Sequence, residues 1–151
     1  MGPHPVPSWL SKLFLLFFSR DIFRKNGTAV DAAVAVLFCN GAVHSHSLGL
    51  GGGFFMTIYI KSEQKSYFLN AREVAPLKSS MNMFVNTSAS STSGPLAVAV
   101  PGELKGYVEA KEKFGNPDLS LMDIMKPTIG KVGQWPSTWH YYKSSARWRC
   151  S

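Results

Sequence analysis

At 151 residues the chain can build one domain with a real core and is too short for two of ordinary size. Its 45% hydrophobic and 17% charged residues exclude an acidic disordered chain, and two cysteines exclude a disulfide-dense scaffold. The net charge of +7 points, taken whole, to nucleic acid or an anionic membrane, yet residues 21–130 carry ten basic and nine acidic groups. The basic character therefore belongs to the two ends, and no nucleic acid is expected as a partner.

In the head, residues 1–20, prolines at 3, 5 and 7 disfavour helix at the start. The apolar run Leu13 to Phe18 is too short for a bilayer, which needs about 20 residues, or for the core of a signal peptide, which needs roughly 7 to 15. A disordered head is expected. Asn26-Gly27-Thr28 is an N-glycosylation sequon. Thr28 and Asp31 have capping-box spacing and predict a helix over Ala29 to Cys39. From Ala32 to Phe38 that helix is apolar on every side, so it must be buried. Cys39 lies within it and Cys150 is penultimate, which makes a bridge between them improbable on spacing.

Asn40-Gly41 is a stop signal, followed by His44-Ser45-His46. Alternate histidines can share one side of an extended segment, but no further ligand cluster supports them, and a structural role without metal is expected. Ser47 beside His46 invites a nucleophile reading that lacks an orienting third group and an oxyanion hole. The run Gly49 to Gly53 stands between a helix and a strand, the reverse of the dinucleotide order, and no Walker lysine follows; a tight backbone passage is expected. Phe54 to Ile60 predicts a strand, Lys61 to Lys65 a turn, and Ser66 to Asn70 the returning strand.

Arg72 follows the hairpin. Its guanidinium fork could grip a carboxylate in a cleft, or it could pair locally with Glu73; the residues alone favour the local pair. A second sequon, Asn86-Thr87-Ser88, lies in a Ser/Thr/Asn-rich loop suited to a glycan. Leu96 to Val100 predicts a buried strand. Pro101-Gly102 introduces a helix from about Glu103 to Phe114, with an apolar stripe of Leu104, Tyr107, Val108 and Phe114 and an i,i+4 pair of Glu109 and Lys113. Ser120 and Asp123 repeat the capping-box spacing before a last helix that Pro127 is placed to kink or end. The tail, residues 131–151, has no periodicity and is expected to be poorly ordered. Mixed elements in this order predict an α+β layered domain.

Four blocks carry a resemblance: Asn26 to Ala33, His46 to Gly53, Asn70 to Pro76, and Ala99 to Glu103. Their order and spacing make residues 21–130 similar to the N-terminal part of the large subunit of γ-glutamyltransferase, also called γ-glutamyl transpeptidase or glutathione hydrolase. The resemblance implies an incomplete piece of an N-terminal nucleophile hydrolase fold, an αββα sandwich, and no cofactor or metal. It implies cleavage of γ-glutamyl bonds, as in glutathione, by a threonine nucleophile with transfer to water or an amine. No threonine in this chain matches that nucleophile, so inactivity alone is expected. Arg72 matches the arginine that holds the glutamyl α-carboxylate, and Glu73 helps frame the site. Asn86 and Asn26 are the expected glycan sites. Family members sit on the outer face of the plasma membrane or are secreted; this head has no evident signal peptide or spanning helix. The alternatives are a non-catalytic short isoform that associates with full-length relatives or the missing half, and a basic binding module.

Overall fold

The computed structural model describes residues 8–44, 47–86 and 88–132. In chain order it has α1 (Ser8–Arg24), α2 (Ala29–Val43), the strands β1 (Phe54–Ile60) and β2 (Lys65–Ala71), two short 3-10 turns (Ser88–Ser91 and Pro95–Ala97), α3 (Glu103–Phe114) and α4 (Leu121–Val132). The chain divides into two compact units, residues 1–47 with 111–151, and residues 48–110. Among the described residues no helix is long and apolar enough to cross a membrane.

The helical unit corrects the reading of the head. Pro7 is the last proline before a run of helix-compatible residues, and α1 begins at Ser8 and runs through the expected boundary at residue 20. Phe18 and Ile22, one turn apart, are buried where α1 packs on α2. The helix ends in a Schellman arrangement: Asn26 takes φ 59, its N–H donates to Phe23 O at 3.0 Å, and the Gly27 N–H donates to Ile22 O at 2.9 Å. Asparagine tolerates this left-handed conformation better than most residues.

The expected capping box of α2 is present, and the helix runs to Val43, one turn beyond Cys39. Val34 and Ala35 are fully buried, as an all-round apolar helix requires. Burial raises the Cys39 thiol to about 11, which leaves it little reactive thiolate. On α4 the Ser120–Asp123 box also forms: Asp123 N–H donates to Ser120 Oγ at 3.1 Å and Ser120 N–H donates to Asp123 Oδ2 at 3.3 Å, with Ser120 Oγ donating to the same oxygen at 2.6 Å. The helix runs through Pro127 to Val132 rather than ending there. The rest of the tail lies outside the described residues.

Asp123 gives a pH prediction. Hydrogen bonds from Ser120, then from Lys126, lower its carboxyl to about 2 from the ordinary 3.8. A lowered carboxyl stabilises the fold above its unfolded value and loses that contribution as pH falls through the folded one. A side-chain carboxyl titration by NMR is therefore expected to show the α4 cap intact at pH 4 and opening toward pH 2; a midpoint near 4 would refute it.

The second unit is a two-stranded antiparallel hairpin and the first two turns of α3. Phe54 pairs with Ala71, Met56 with Leu69 and Ile58 with Tyr67, and the alternation sends Phe55, Tyr59 and Phe68 to the opposite, exposed face. The turn uses Gln64 at φ 53. Two expectations fail in this unit. Leu96 to Val100 forms no strand; Pro95–Ala97 is a 3-10 turn, Val100 makes one isolated bridge with Val74, and Val98 is exposed. Prolines at 95 and 101 remove ladder donors at both ends of so short a segment. On α3, Leu104 is exposed, and the buried positions of the helix are Glu103, Gly106, Tyr107 and Ala110. Small residues win there because the helix lies close to β2: a Cβ on Gly106 would overlap Ala71 Cβ.

Candidate functional site

The site is built where the glycine run, the end of β2 and the start of α3 meet, all within residues 48–110. The backbone passage expected of the glycines is there. Gly52 O accepts two hydrogen bonds, from Gly102 N–H and Glu103 N–H, both at 3.1 Å. A Cβ on Gly53 would overlap the Ala71 carbonyl oxygen and stand 2.9 Å from Arg72 Cα, while one on Gly102 would stand 2.5 Å from Ala71 O and 2.7 Å from Arg72 O. Only residues without a side chain allow three backbones this close. Arg72 is thus fixed at its backbone by two glycines from different parts of the chain, Gly53 and Gly102.

The Arg72 side chain is far more open to solvent than the packed backbone that carries it. It is 57% exposed, its Nε lies 3.2 Å from Glu73 Oε2, and its guanidinium sits 5.7 Å from the Phe55 ring centre. The local pair with Glu73 is therefore present. Glu73 Oε2 is buried and receives no directed hydrogen bond, so the contact is an ion pair with poor angular geometry. With the Arg72 side chain 57% exposed, such a pair adds little to stability. The ion pair uses Arg72 Nε, and the guanidinium's two terminal amino groups are a fork that suits a carboxylate. The Arg72 N–H donates to Asn70 Oδ1 at 3.1 Å, which closes a turn at the strand end.

Behind the ion pair lie two residues to which the sequence assigned no role at the site. Glu103 is 1% exposed and Tyr107 0%, and the Tyr107 hydroxyl donates to Glu103 Oε1. Burial, then the bond and charge of Glu103, push the Tyr107 phenol far above its usual range, so it remains a proton donor. The Tyr107 ring stacks on Phe54 at 5.2 Å. Glu103 Oε2 and Glu73 Oε1 stand 3.4 and 3.5 Å from the point a Gly52 Cβ would occupy. Tyr107 was visible in the sequence as an apolar stripe residue; its hydroxyl, four residues from a glutamate on the same helix, was the missed signal.

The other candidate residues lie apart from this cluster in sequence. Asn86 is exposed ahead of the 3-10 turn at Ser88–Ser91; Thr87 lies outside the described residues. Asn26 is also exposed, but its sequon partner Thr28 is engaged: Thr28 Oγ1 lies 3.0 Å from Asp31 Oδ2 and 3.1 Å from Phe114 O. His44 Nδ1 lies 2.7 Å from Asn40 Oδ1 on α2, and His46 lies outside the described residues. No group of three or more histidine, cysteine or acidic residues able to hold a metal occurs among the described residues.

Known proteins are similar to this chain in sequence and in fold. The family model described as gamma-glutamyltranspeptidase matches residues 18–136. Scoloptoxin SSD14 of Scolopendra dehaani is 42% identical over 110 residues, which are 73% of this chain and 19% of that protein. Glutathione hydrolase proenzyme 1 of Schizosaccharomyces pombe is 45% identical over 108 residues, 72% of this chain and 17% of that one. The gamma-glutamyltranspeptidase of Helicobacter pylori superposes with a TM-score of 0.68 and 30% identity, covering 85% of this chain and 35% of its own. That of Pseudomonas nitroreducens, solved with L-DON, gives 0.69 and 29%, covering 95% and 43%. The chain thus spans less than a fifth of the length of these curated relatives. Its helices and hairpin are a piece of the N-terminal nucleophile hydrolase fold of those neighbours, and the chain belongs to the gamma-glutamyltranspeptidase family.

Proposed function

We propose that this chain supplies the glutamate-recognition edge of a γ-glutamyltransferase, with Arg72 taking the α-carboxylate of γ-glutamyl compounds such as glutathione and Glu73 orienting it. The observation that carries this is the clamped backbone of Arg72: Gly53 and Gly102 fix the strand end while the side chain stays 57% exposed beside its ion pair with Glu73. A rigid base with an accessible fork suits bidentate carboxylate recognition, which lysine cannot reproduce. The 151 residues on their own bind without turnover, since no threonine in them matches the family nucleophile. A polypeptide that carries the family's threonine nucleophile, or a full-length relative, is the proposed partner. Asn86 is the proposed glycan site and Asn26 the weaker one, because the Thr28 hydroxyl is held inside the α2 cap.

The test is calorimetric titration of the purified chain with S-methylglutathione, alongside hydrolysis of γ-glutamyl-p-nitroanilide. Binding is expected to fall at least tenfold in both Arg72→Ala and Arg72→Lys, as loss of a charged bidentate contact of roughly 1.5 to 3 kcal/mol requires. Turnover of the anilide above the Arg72→Ala background would refute inactivity, and equal binding by Arg72→Lys would refute the fork.

A further inference from the structure

We infer that Glu103 is a positioning residue for Arg72, acting through Glu73. This rests on the reading of Arg72 as the carboxylate-binding group and goes beyond it, to what holds the guanidinium ready. Three observations lead there. Glu103 is 1% exposed and sits in the first turn of α3, where the helix dipole favours a negative charge. The Tyr107 hydroxyl grips its Oε1, and the Tyr107 ring is itself fixed against Phe54, the strand partner of Ala71. Its Oε2 faces the same point beside Gly52 that Glu73 Oε1 approaches from the surface, at 3.4 and 3.5 Å.

Two carboxylates that converge on one glycine repel each other. Glu103 cannot yield, because it is buried and held by Tyr107 and because its own N–H is bonded to Gly52 O. Glu73 is the half-exposed partner and has the freedom to turn. The fixed charge on Glu103 therefore keeps Glu73 turned toward Arg72, with its buried Oε2 3.2 Å from Arg72 Nε. Occupying Nε in this way orients the guanidinium plane and leaves its terminal amino groups for an incoming carboxylate. Gly52 is part of the device, since any side chain there would separate the two carboxylates.

The experiment uses the full 151-residue chain, labelled with 15N and 13C. Glu103→Gln keeps shape and hydrogen-bonding capacity and removes the charge; Tyr107→Phe keeps the ring stack on Phe54 and releases the carboxylate. Glu103→Gln is expected to shift the Arg72 Nε–H resonance and the Glu73 carboxyl-carbon resonance, because a neighbouring like charge has gone, and to weaken S-methylglutathione binding roughly tenfold. Tyr107→Phe is expected to shift the Arg72 resonance with the fold retained. A residue of purely structural importance would lower the melting temperature and leave both signals in place. A folded Glu103→Gln variant with unchanged Arg72 Nε–H and Glu73 carboxyl-carbon resonances overturns the inference. Should the wild-type chain fail to bind S-methylglutathione while both signals still move, Glu103 keeps its positioning role and the ligand role of Arg72 falls.

Discussion

Replacing Asp31 by alanine is expected to cost the helical unit about 3 kcal/mol, far more than an N-cap alone, which is worth about 1 kcal/mol. The reason is that one buried oxygen, Oδ2, serves three donors: Thr28 N–H at 2.8 Å, Thr28 Oγ1 at 3.0 Å and Asn116 N–H at 2.8 Å. The first closes the capping box at the start of α2 together with the Asp31 N–H that donates to Thr28 Oγ1 at 3.2 Å, and the second ties the same two side chains together. The third ties down the loop after α3, 85 residues away in sequence. Asn116 Nδ2 in turn donates to Asn26 O at 2.9 Å, so the end of α1, the start of α2 and the end of α3 are joined at one carboxylate. Alanine would strand these donors in a site that is 0% exposed. Asp31→Asn should cost less, because its amide oxygen can still accept, and Thr28→Ala less again. The measurement is the urea midpoint by circular dichroism, with amide exchange at Asn116 as the local probe. Loss of Asn116 protection in Asp31→Ala but not in Thr28→Ala is the expected signature. A cost under 0.5 kcal/mol, in the range of ordinary surface changes, would sink the account.

The same residue shows what the sequence could and could not report. Thr28 and Asp31 stand three apart before an apolar run, a local pattern that any reader can see, and the box is present. That Asp31 also receives Asn116 is a tertiary fact with no local signature. The hairpin was legible for a related reason: β-branched and aromatic residues on both sides of a polar turn restrict the pairing to nearly one register. Leu96 to Val100 has the same residue chemistry and makes one bridge only, because a strand needs neighbours and two flanking prolines remove donors. In the head, alternate prolines and a run too short for a span or a signal core suggest disorder, whereas the feature that holds α1 is tertiary: Phe18 and Ile22, buried one turn apart against α2. At the site, Arg72 and Glu73 stood out by resemblance and their ion pair by adjacency. Glu103 and Tyr107 did not, because a glutamate at the start of a helix is an ordinary surface residue until the glycines of another segment are known to bury it.

Those glycines set the second large effect. Gly53→Ala is expected to destabilise the hairpin unit by about 3 kcal/mol, the upper end of overpacking, because the new methyl meets backbone rather than a side chain that could turn away. It would overlap Ala71 O and stand 2.9 Å from Arg72 Cα, so relief requires β2 to move at its last residue. Gly102→Ala should act in the same direction from the other side, at 2.5 Å from Ala71 O. The control lies two residues from Gly53. A Cβ on Gly51 would find nothing within 4 Å, and its φ is not in the left-handed region, so Gly51→Ala is expected to gain about 0.5 kcal/mol from the lower entropy of the unfolded chain. Three alanines in one glycine-rich junction thus divide into two losses and one small gain on space alone. Beyond stability, the two damaging variants should displace Arg72 and abolish S-methylglutathione binding even at temperatures where the unit stays folded, with Gly51→Ala binding as the wild type does. If Gly53→Ala kept full binding in the folded state, the clamp on the Arg72 backbone would have no part in recognition, and the rigid base from which the guanidinium works would have to be sought elsewhere on β2.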